Sequence, residues 1–90
     1  MKIHIVLKYP NLEDLESFGL PVPGFFKMKN VVVLVFPDLE GYYRYTAQIC
    51  ELIDELEAKR FVKYSHEKMD KLKFCQHYLE LLRNAALNSL

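Results

Sequence analysis

The sequence predicts an α+β fold in a single small domain that spans residues 1–90. Three observations support this class. Residues 2–9 alternate polar and apolar side chains, residues 31–36 are continuously apolar, and residues 42–90 contain neither glycine nor proline. The first two patterns are typical of β-strands and the third of helices. Because 51% of its residues are hydrophobic, the chain can bury a core, although a marginal one that association would help.

The first strand and a short helix are predicted at the N-terminal end. In residues 2–9 the odd-numbered positions form the apolar face of a strand, which Pro10 ends. Asn11 can then cap a short helix. Gly19 followed by Leu20 predicts a left-handed helix stop with an apolar contact.

A β-hairpin is predicted next. Residues 25–28 form a short strand, and Lys29 with Asn30 forms a tight turn. The valine-rich run 31–36 predicts a strand that is buried on both faces. Asp38 then stands at the position of an N-cap for a second helix.

The segment without glycine or proline is interrupted by a change of phase. One helix over all of it would span roughly 70 Å, which is too long for a domain of this size. The apolar stripe that runs from Tyr42 to Leu56 falls out of phase at residues 61–64, which are largely β-branched or aromatic. This predicts a fourth strand over 61–64, and then a last helix over about 66–88 that Ser65 caps.

The first six predicted elements, β-α-β-β-α-β, match the split β-α-β, or ferredoxin-like, arrangement, to which the chain adds a long C-terminal helix. In that arrangement the first and third strands are central, and the second and fourth are edges. Lys27 and Lys63 lie on the predicted edge strands, as lysines often do. The alternative is a short antiparallel sheet with a long helical hairpin.

The last helix carries two adjacent apolar stripes that together cover about half of its circumference. We expect such a helix to touch its own domain and also a second helix or chain, although a deeply embedded helix is the alternative. At the start of the second helix, an aromatic residue beside an arginine is a common hot-spot pairing, and the alternative is two ordinary surface residues. The predicted partner-binding residues are Tyr43, Arg44, Phe74, Tyr78, Leu81 and Ala85.

Charge is balanced over the whole chain but not along it. Twelve basic and twelve acidic residues cancel, which argues against a nucleic-acid-binding character overall. Residues 59–73, however, hold six basic residues against two acidic ones (6 − 2 = +4). This segment is a candidate binding patch for nucleic acid or an acidic partner. The alternative interpretation is a solvated surface whose positive charge offsets the negative charge of the second helix. The six basic residues are Lys59, Arg60, Lys63, Lys68, Lys71 and Lys73.

The stretch LIDELEAK, residues 52–59, followed closely by Val62, resembles the recognition helix and first wing strand of MarR-type winged-helix repressors. The resemblance implies DNA binding through that helix. Residues 37–58, however, contain one arginine against six acidic residues (1 − 6 = −5), which is the wrong sign for a helix among phosphates. We therefore interpret the stretch as a helix that passes into a strand.

No motif predicts a cofactor or a metal site. Cys50 and Cys75 lie in apolar helical patterns, so we expect reduced core thiols. Cys75 and His77 are two residues apart on a helix and diverge, so they are poorly placed to share an ion. There is no glycine-rich phosphate loop and no recognisable catalytic set. An enzyme with a site on the sheet face near His4 is the weakest of three functional hypotheses.

The first hypothesis is a small non-enzymatic protein-interaction module, of adaptor or inhibitor type, that binds a protein partner and forms a homodimer through the last helix and the corner of Tyr43 and Arg44. The second is a nucleic-acid-binding regulator that uses residues 59–73. The longest apolar run, Val31 to Pro37, is far too short for a membrane span, and the alternating N-terminus does not resemble a signal peptide. We therefore expect a cytoplasmic protein.

Overall fold

The computed structural model describes the backbone of residues 2–8, 12–58 and 66–89, and the side chains of these residues except 66–68 and 87–89. The elements in chain order are β1 (Ile3–Lys8), α1 (Leu12–Ser17), β2 (Gly24–Met28), β3 (Val31–Phe36), α2 (Leu39–Ala58) and α3 (His66–Ser89). The predicted α+β class is confirmed, with one antiparallel sheet, accompanying helices and a long C-terminal helix.

The sheet has the strand order β1-β3-β2, and both pairings are antiparallel. The predicted two-residue hairpin turn is present, because Met28 is paired with Val31 across Lys29 and Asn30. Lys29 has a positive φ of 23°, a conformation that is typical of the first position of some two-residue hairpin turns.

Part of the predicted topology falls outside the described residues. The fourth strand, residues 61–64, and the caps Asn11 and Ser65 lie there. The full ferredoxin-like order therefore stays a prediction. The alternative, a short antiparallel sheet with a long helical hairpin, fits the part of the chain that the structure describes.

Helix α1 ends as its sequence predicts. Gly19 has a φ of 72°, which a residue without a Cβ adopts freely. The amide of Gly19 donates to the carbonyl of Glu16 at 3.0 Å, and the amide of Leu20 donates to the carbonyl of Leu15 at 2.8 Å. This pair of bonds is the Schellman motif, and Leu15 and Leu20 both belong to the buried core, as the motif's apolar contact requires.

Helix α2 begins at the predicted cap. The side-chain Oδ1 of Asp38 accepts a hydrogen bond from the amide of Gly41 at 2.7 Å, which satisfies one of the free donors at the helix start. The main-chain carbonyl of Asp38 accepts the first bond within the helix, from the amide of Tyr42. The local signal in the sequence was therefore sufficient to locate this boundary.

Helices α2 and α3 pack against each other and cover one face of the sheet. Helix α3 contacts β1, and α2 contacts β3. The Tyr42 hydroxyl donates to the carbonyl of Leu82 at 3.2 Å, and the Gln76 amide donates to Glu57 Oε1 at 3.1 Å. The most deeply buried side chains belong to the sheet and all three helices: Ile5, Leu7, Leu15, Leu34, Ile49, Cys75 and Leu82.

Both apolar stripes of α3 pack against the chain's own core. Cys75, Leu79 and Leu82 of the first stripe are buried, and so is Tyr78 of the second. The remaining described members of the two stripes are half-buried against the same cluster: Leu72, Phe74, Leu81, Ala85 and Ala86. The described part of α3 thus uses its wide apolar surface on α2, β1 and the loop around Phe18, whose ring lies 5.3 Å from that of Phe74. No helix in the described ranges is both long and apolar enough to cross a membrane.

Candidate functional site

One face of the sheet has no helix over it among the described residues. The register places the side chains of Ile5, Leu34 and Phe25 on the helix side, so their neighbours along each strand point the other way. We call the nine residues on the uncovered side the open face. They are His4, Val6 and Lys8 of β1, Val31, Val33 and Val35 of β3, and Gly24, Phe26 and Met28 of β2.

The open face is apolar and exposed. Val6 is 49% exposed, Phe26 44% and Met28 55%, and Val31 and Val35 are half-buried. An antiparallel sheet with one solvated face usually carries polar side chains on that face. Six of the nine residues here have apolar side chains instead.

Val33 is buried although its side chain lies on the open face of β3. Its side chain is 4% exposed, yet it does not belong to the main core cluster. Val6 and Phe26 lie directly opposite it on the two neighbouring strands and cover its flanks. The predicted burial on both faces therefore holds at Val33, but on the open side it depends on neighbours within the sheet and not on a second layer.

The polar groups of the open face lie along one side of it. His4 and Lys8 are both on β1, and Lys2 precedes them on the same side. The His4 ring meets the Phe26 ring edge-on, with centroids 6.5 Å apart and planes at 67°. The open face is thus an apolar surface with a basic margin along β1.

Strand β2 is exposed on both of its faces. All five of its residues are solvent-exposed, including Phe25 and Lys27, which point to the helix side. The reason is that α3 lies over β1 and α2 over β3, so β2 extends beyond the helical layer. In the described part of the chain, β2 pairs with β3 alone and is an edge strand, as predicted.

A small cleft lies beside this edge, between α1 and the helix-side face of β2. Its volume is about 180 Å³. Two exposed carboxylates, Glu13 and Glu16, stand on its wall, and neither forms an ion pair in the described part of the chain. The remaining lining residues are Leu12, Val22, Phe25 and Lys27.

The two predicted partner-binding residues on α2 are accessible. Tyr43 is 58% exposed, and the centroid of its ring lies 5.6 Å from that of the Tyr42 ring. Arg44 lies on the same exposed surface and pairs with Glu40 one turn earlier, at 2.5 Å between Nη2 and Oε1. Both residues lie on helix α2, away from the open face. A role for this corner in binding stays a prediction.

The four predicted residues on α3 are placed differently. Tyr78 is buried, and its hydroxyl lies 3.0 Å from that of Tyr45. Phe74, Leu81 and Ala85 are half-buried against the core. Their described contacts are internal, and a partner interface on this stripe stays a prediction.

The basic segment lies mostly outside the described residues. Lys59, Arg60 and Lys63 fall there, as does the side chain of Lys68. Within the described ranges, Lys71 is half-buried and Lys73 is exposed. Binding of nucleic acid or an acidic partner by this segment stays a prediction.

Among the described residues, the side chains that could bind a metal or take part in catalysis do not form a cluster. In the described part of the chain, no three His, Cys, Asp or Glu residues are grouped so as to hold a metal ion. Both cysteines are free thiols, as expected, and burial raises the pKa of the Cys75 thiol, an effect that the charge of Lys71 partly offsets. His4 lies on the open face, whereas the cleft is on the opposite face of the sheet.

Comparison of the chain with protein-family models, with curated proteins and with solved structures finds no match.

The candidate surfaces include residues that the sequence analysis did not single out, chiefly Val6, Phe26 and Met28. Each is unremarkable within its own strand, and strand pairing alone brings the three together. One signal was available: β3 is apolar on both faces, so a partner for its second face was implied.

Proposed function

We propose that the protein is a small non-enzymatic protein-interaction module, of adaptor or inhibitor type, that binds a protein partner through the open face. The observation that carries this proposal is the exposure of Val6, Phe26 and Met28, between 44% and 55%, on one apolar sheet face. Contiguous exposed apolar surface of this kind marks interaction sites in folded proteins.

The energetics favour coverage of this face. Complete burial of one large apolar side chain contributes about 1.5–3 kcal/mol. Val6, Phe26 and Met28 are about half exposed, so a partner that buries them completely would gain roughly half of that free energy from each. Val31 and Val35 between them are half-buried and would add to it. A partner that excludes water from the face therefore gains from several residues at once.

The polar margin of the face indicates the chemistry of the partner. Lys2, His4 and Lys8 lie along β1, so one side of the face is basic. A matching surface is apolar at its centre and carries acidic residues where it meets β1, because complementary charge orients a docking partner. We therefore propose a protein partner with an apolar patch bordered by carboxylates.

Site-directed photo-crosslinking tests this proposal. A benzophenone amino acid replaces Val6 in one variant and Tyr43 in a matched variant, since both positions are exposed but lie on different surfaces. After irradiation in native cell extract, we expect a discrete protein adduct from position 6 that survives nuclease treatment. Met28→Asp in the position-6 variant should abolish the adduct, because it puts a charge on the same apolar face.

Two results would contradict binding through the open face. An adduct from position 43 but none from position 6 would assign recognition to the corner formed by Tyr43 and Arg44. An adduct that nuclease removes would favour the alternative function, nucleic-acid binding through residues 59–73. Unchanged circular dichroism spectra would establish that each variant is folded.

We also propose that residues 61–64 pair with the free side of β1 and complete a ferredoxin-like sheet. The order β1-β3-β2 is the order of three of the four strands in that arrangement, and the missing strand would lie next to β1. Pairing at this edge would extend the open face beyond β1 and would leave the nine residues that define it in place.

A further inference from the structure

We infer that β2 pairs with β2 of a second copy of the chain, antiparallel and centred on Phe26, so that the two sheets join into one continuous sheet. This interface is the outer edge of β2, and the side chains of Gly24, Phe26 and Met28, which belong to the open face, flank it on one side. A homodimer was also expected from the sequence, but with its interface on the last helix and the corner of Tyr43 and Arg44, whereas this interface uses β2.

The hydrogen-bonding pattern selects this register. The two-residue turn makes Met28 and Val31 a pair that exchanges hydrogen bonds, so Phe26 and Val33 are the next such pair. The main-chain N–H and C=O groups of Phe25 and Lys27 therefore point to the outer edge. With Phe26 on a two-fold axis, each Phe25 lies opposite the partner's Lys27, and the two residues exchange both bonds.

The helix-side face of this pairing is complementary in charge. Phe25 and Lys27 both point to that side, where they line the same cleft as Glu13 and Glu16. The pairing brings the partner's Lys27 directly opposite Phe25, beside those two carboxylates. Each cleft then holds two acidic and two basic side chains, whereas in the single chain it holds two acidic and one basic.

The other side of the pairing is complementary in shape. Phe26 lies opposite the partner's Phe26 at a position without exchanged hydrogen bonds, where side chains are closest. Gly24 lies opposite the partner's Met28, so a long, flexible side chain meets the position that has none. A Cβ on Gly24 would have Val35 O as its nearest neighbour, at 3.6 Å, so space remains above this glycine.

A lysine on an edge strand also has a protective use, because it discourages strand pairing. A charge reversal at position 27 distinguishes this protective role from the proposed role in dimer formation. If Lys27 binds the partner's carboxylates, Lys27→Glu should weaken the dimer, and so should the double variant Glu13→Lys with Glu16→Lys. If Lys27 is only protective, neither change should affect a chain that is already monomeric.

Sedimentation velocity of the full chain at micromolar to millimolar concentration tests the inference. We expect a wild-type dimer and a dissociation constant that is about tenfold or more higher for each charge-reversed variant. An equimolar mixture of the two variants should form a heterodimer, because both of its clefts again meet opposite charges. A monomeric wild type, or a dimer that neither reversal weakens, would overturn the inference.

A second variant covers the case in which a reversed charge disturbs folding. Phe25→Pro removes an N–H that points away from β3, so the monomer keeps its sheet but the edge loses a donor on each side of the axis. We expect a folded monomer, and a dimer that persists in this variant would also overturn the inference. Crosslinking from position 6 in the Lys27→Glu variant separates the two proposals, since binding through the open face should persist there.

Discussion

One hydroxyl group connects three separate segments of the chain. The Tyr45 hydroxyl on α2 donates to the carbonyl of Pro21 at 2.7 Å and lies 3.0 Å from the hydroxyl of Tyr78 on α3. A phenol has a single proton, so the bond to Pro21 makes Tyr78 the donor of the second bond. Through these two hydrogen bonds, Tyr45 joins helix α2 to helix α3 and to the loop after α1.

This arrangement predicts unequal effects of two similar substitutions. Tyr45→Phe leaves both the Tyr78 hydroxyl and the Pro21 carbonyl without this partner and should cost about 1–3 kcal/mol. Tyr78→Phe removes one donor and leaves the bond to Pro21 intact, so we expect a cost of about 1 kcal/mol or less. Urea unfolding measures both. Tyr43→Phe, at an exposed ring, is the matched control and should be neutral; equal costs at 45 and 78 would contradict the donor assignment.

At the scale of the element, α3 shows why an amphipathic pattern does not identify a partner. Its two stripes predicted contact with two bodies, and the described residues provide both within the chain: α2 on one side and β1 with Phe18 on the other. A helix that lies in the groove between a second helix and a sheet uses a wide apolar surface. Internal packing therefore accounts for the described contacts of both stripes, and contact with a second chain stays a prediction.

Strand β1 carries a prediction about the fourth strand. The main-chain groups of Val33 form hydrogen bonds with β2, so those of its neighbours in β3 point to β1. Leu34 therefore exchanges hydrogen bonds with Ile5, and Val32 with Leu7. The amides of His4 and Val6 consequently point to the other edge of β1. If residues 61–64 pair there, hydrogen exchange measured by NMR should be slow at all four β1 amides. Fast exchange at His4 and Val6 beside slow exchange at Ile5 and Leu7 would contradict the ferredoxin-like order.

At the scale of the whole molecule, the described helices lie on one side of the sheet. Three tyrosines lie in the core where α2, α3 and β3 meet: Phe36 packs against Tyr42 and Tyr45, and Tyr45 packs against Tyr78. Burial raises the pKa of Tyr42, Tyr45 and Tyr78, and the hydrogen bond that Tyr78 donates to Tyr45 raises the pKa of Tyr78 further. All three phenols are neutral in the folded protein at moderately alkaline pH.

These raised pKa values predict loss of stability at alkaline pH. As pH rises through the ordinary pKa values, 9.0 for Cys75 and 10.0 for Tyr78, the unfolded chain loses protons that the folded chain keeps. The free energy of unfolding must then fall with pH, by up to about 1.4 kcal/mol per pH unit for each such group. Below about pH 8 these groups should contribute no slope.

Urea titrations at a series of pH values measure this dependence, and phenolate absorbance should rise together with unfolding. Tyr78→Phe is the matched variant and should show a shallower fall above about pH 10. A free energy of unfolding that stays constant to about pH 11 would contradict the assignment of buried, neutral phenols.

Local chemistry in the sequence determined the boundaries of the elements. The Gly19 stop and the Asp38 cap both followed from residues within one helical turn, and alternation in β1 identified the face that is buried. These features depend on main-chain conformation and on hydrogen bonds between near neighbours, so a short window of sequence contains the necessary information. The α+β class followed from the same kind of pattern, whereas the edge position of β2 followed from the match of the element order to the ferredoxin-like arrangement.

Tertiary structure alone decided where the candidate surfaces lie. Val6, Phe26 and Met28 come from three segments, and the pairing of β1 and β2 with β3 brings them onto one face. Which face stays open depends on the side on which α2 and α3 pack, and that choice is a property of the whole core. The sequence thus determined that β3 needed cover on both faces, while the fold decided which face its own helices would leave exposed.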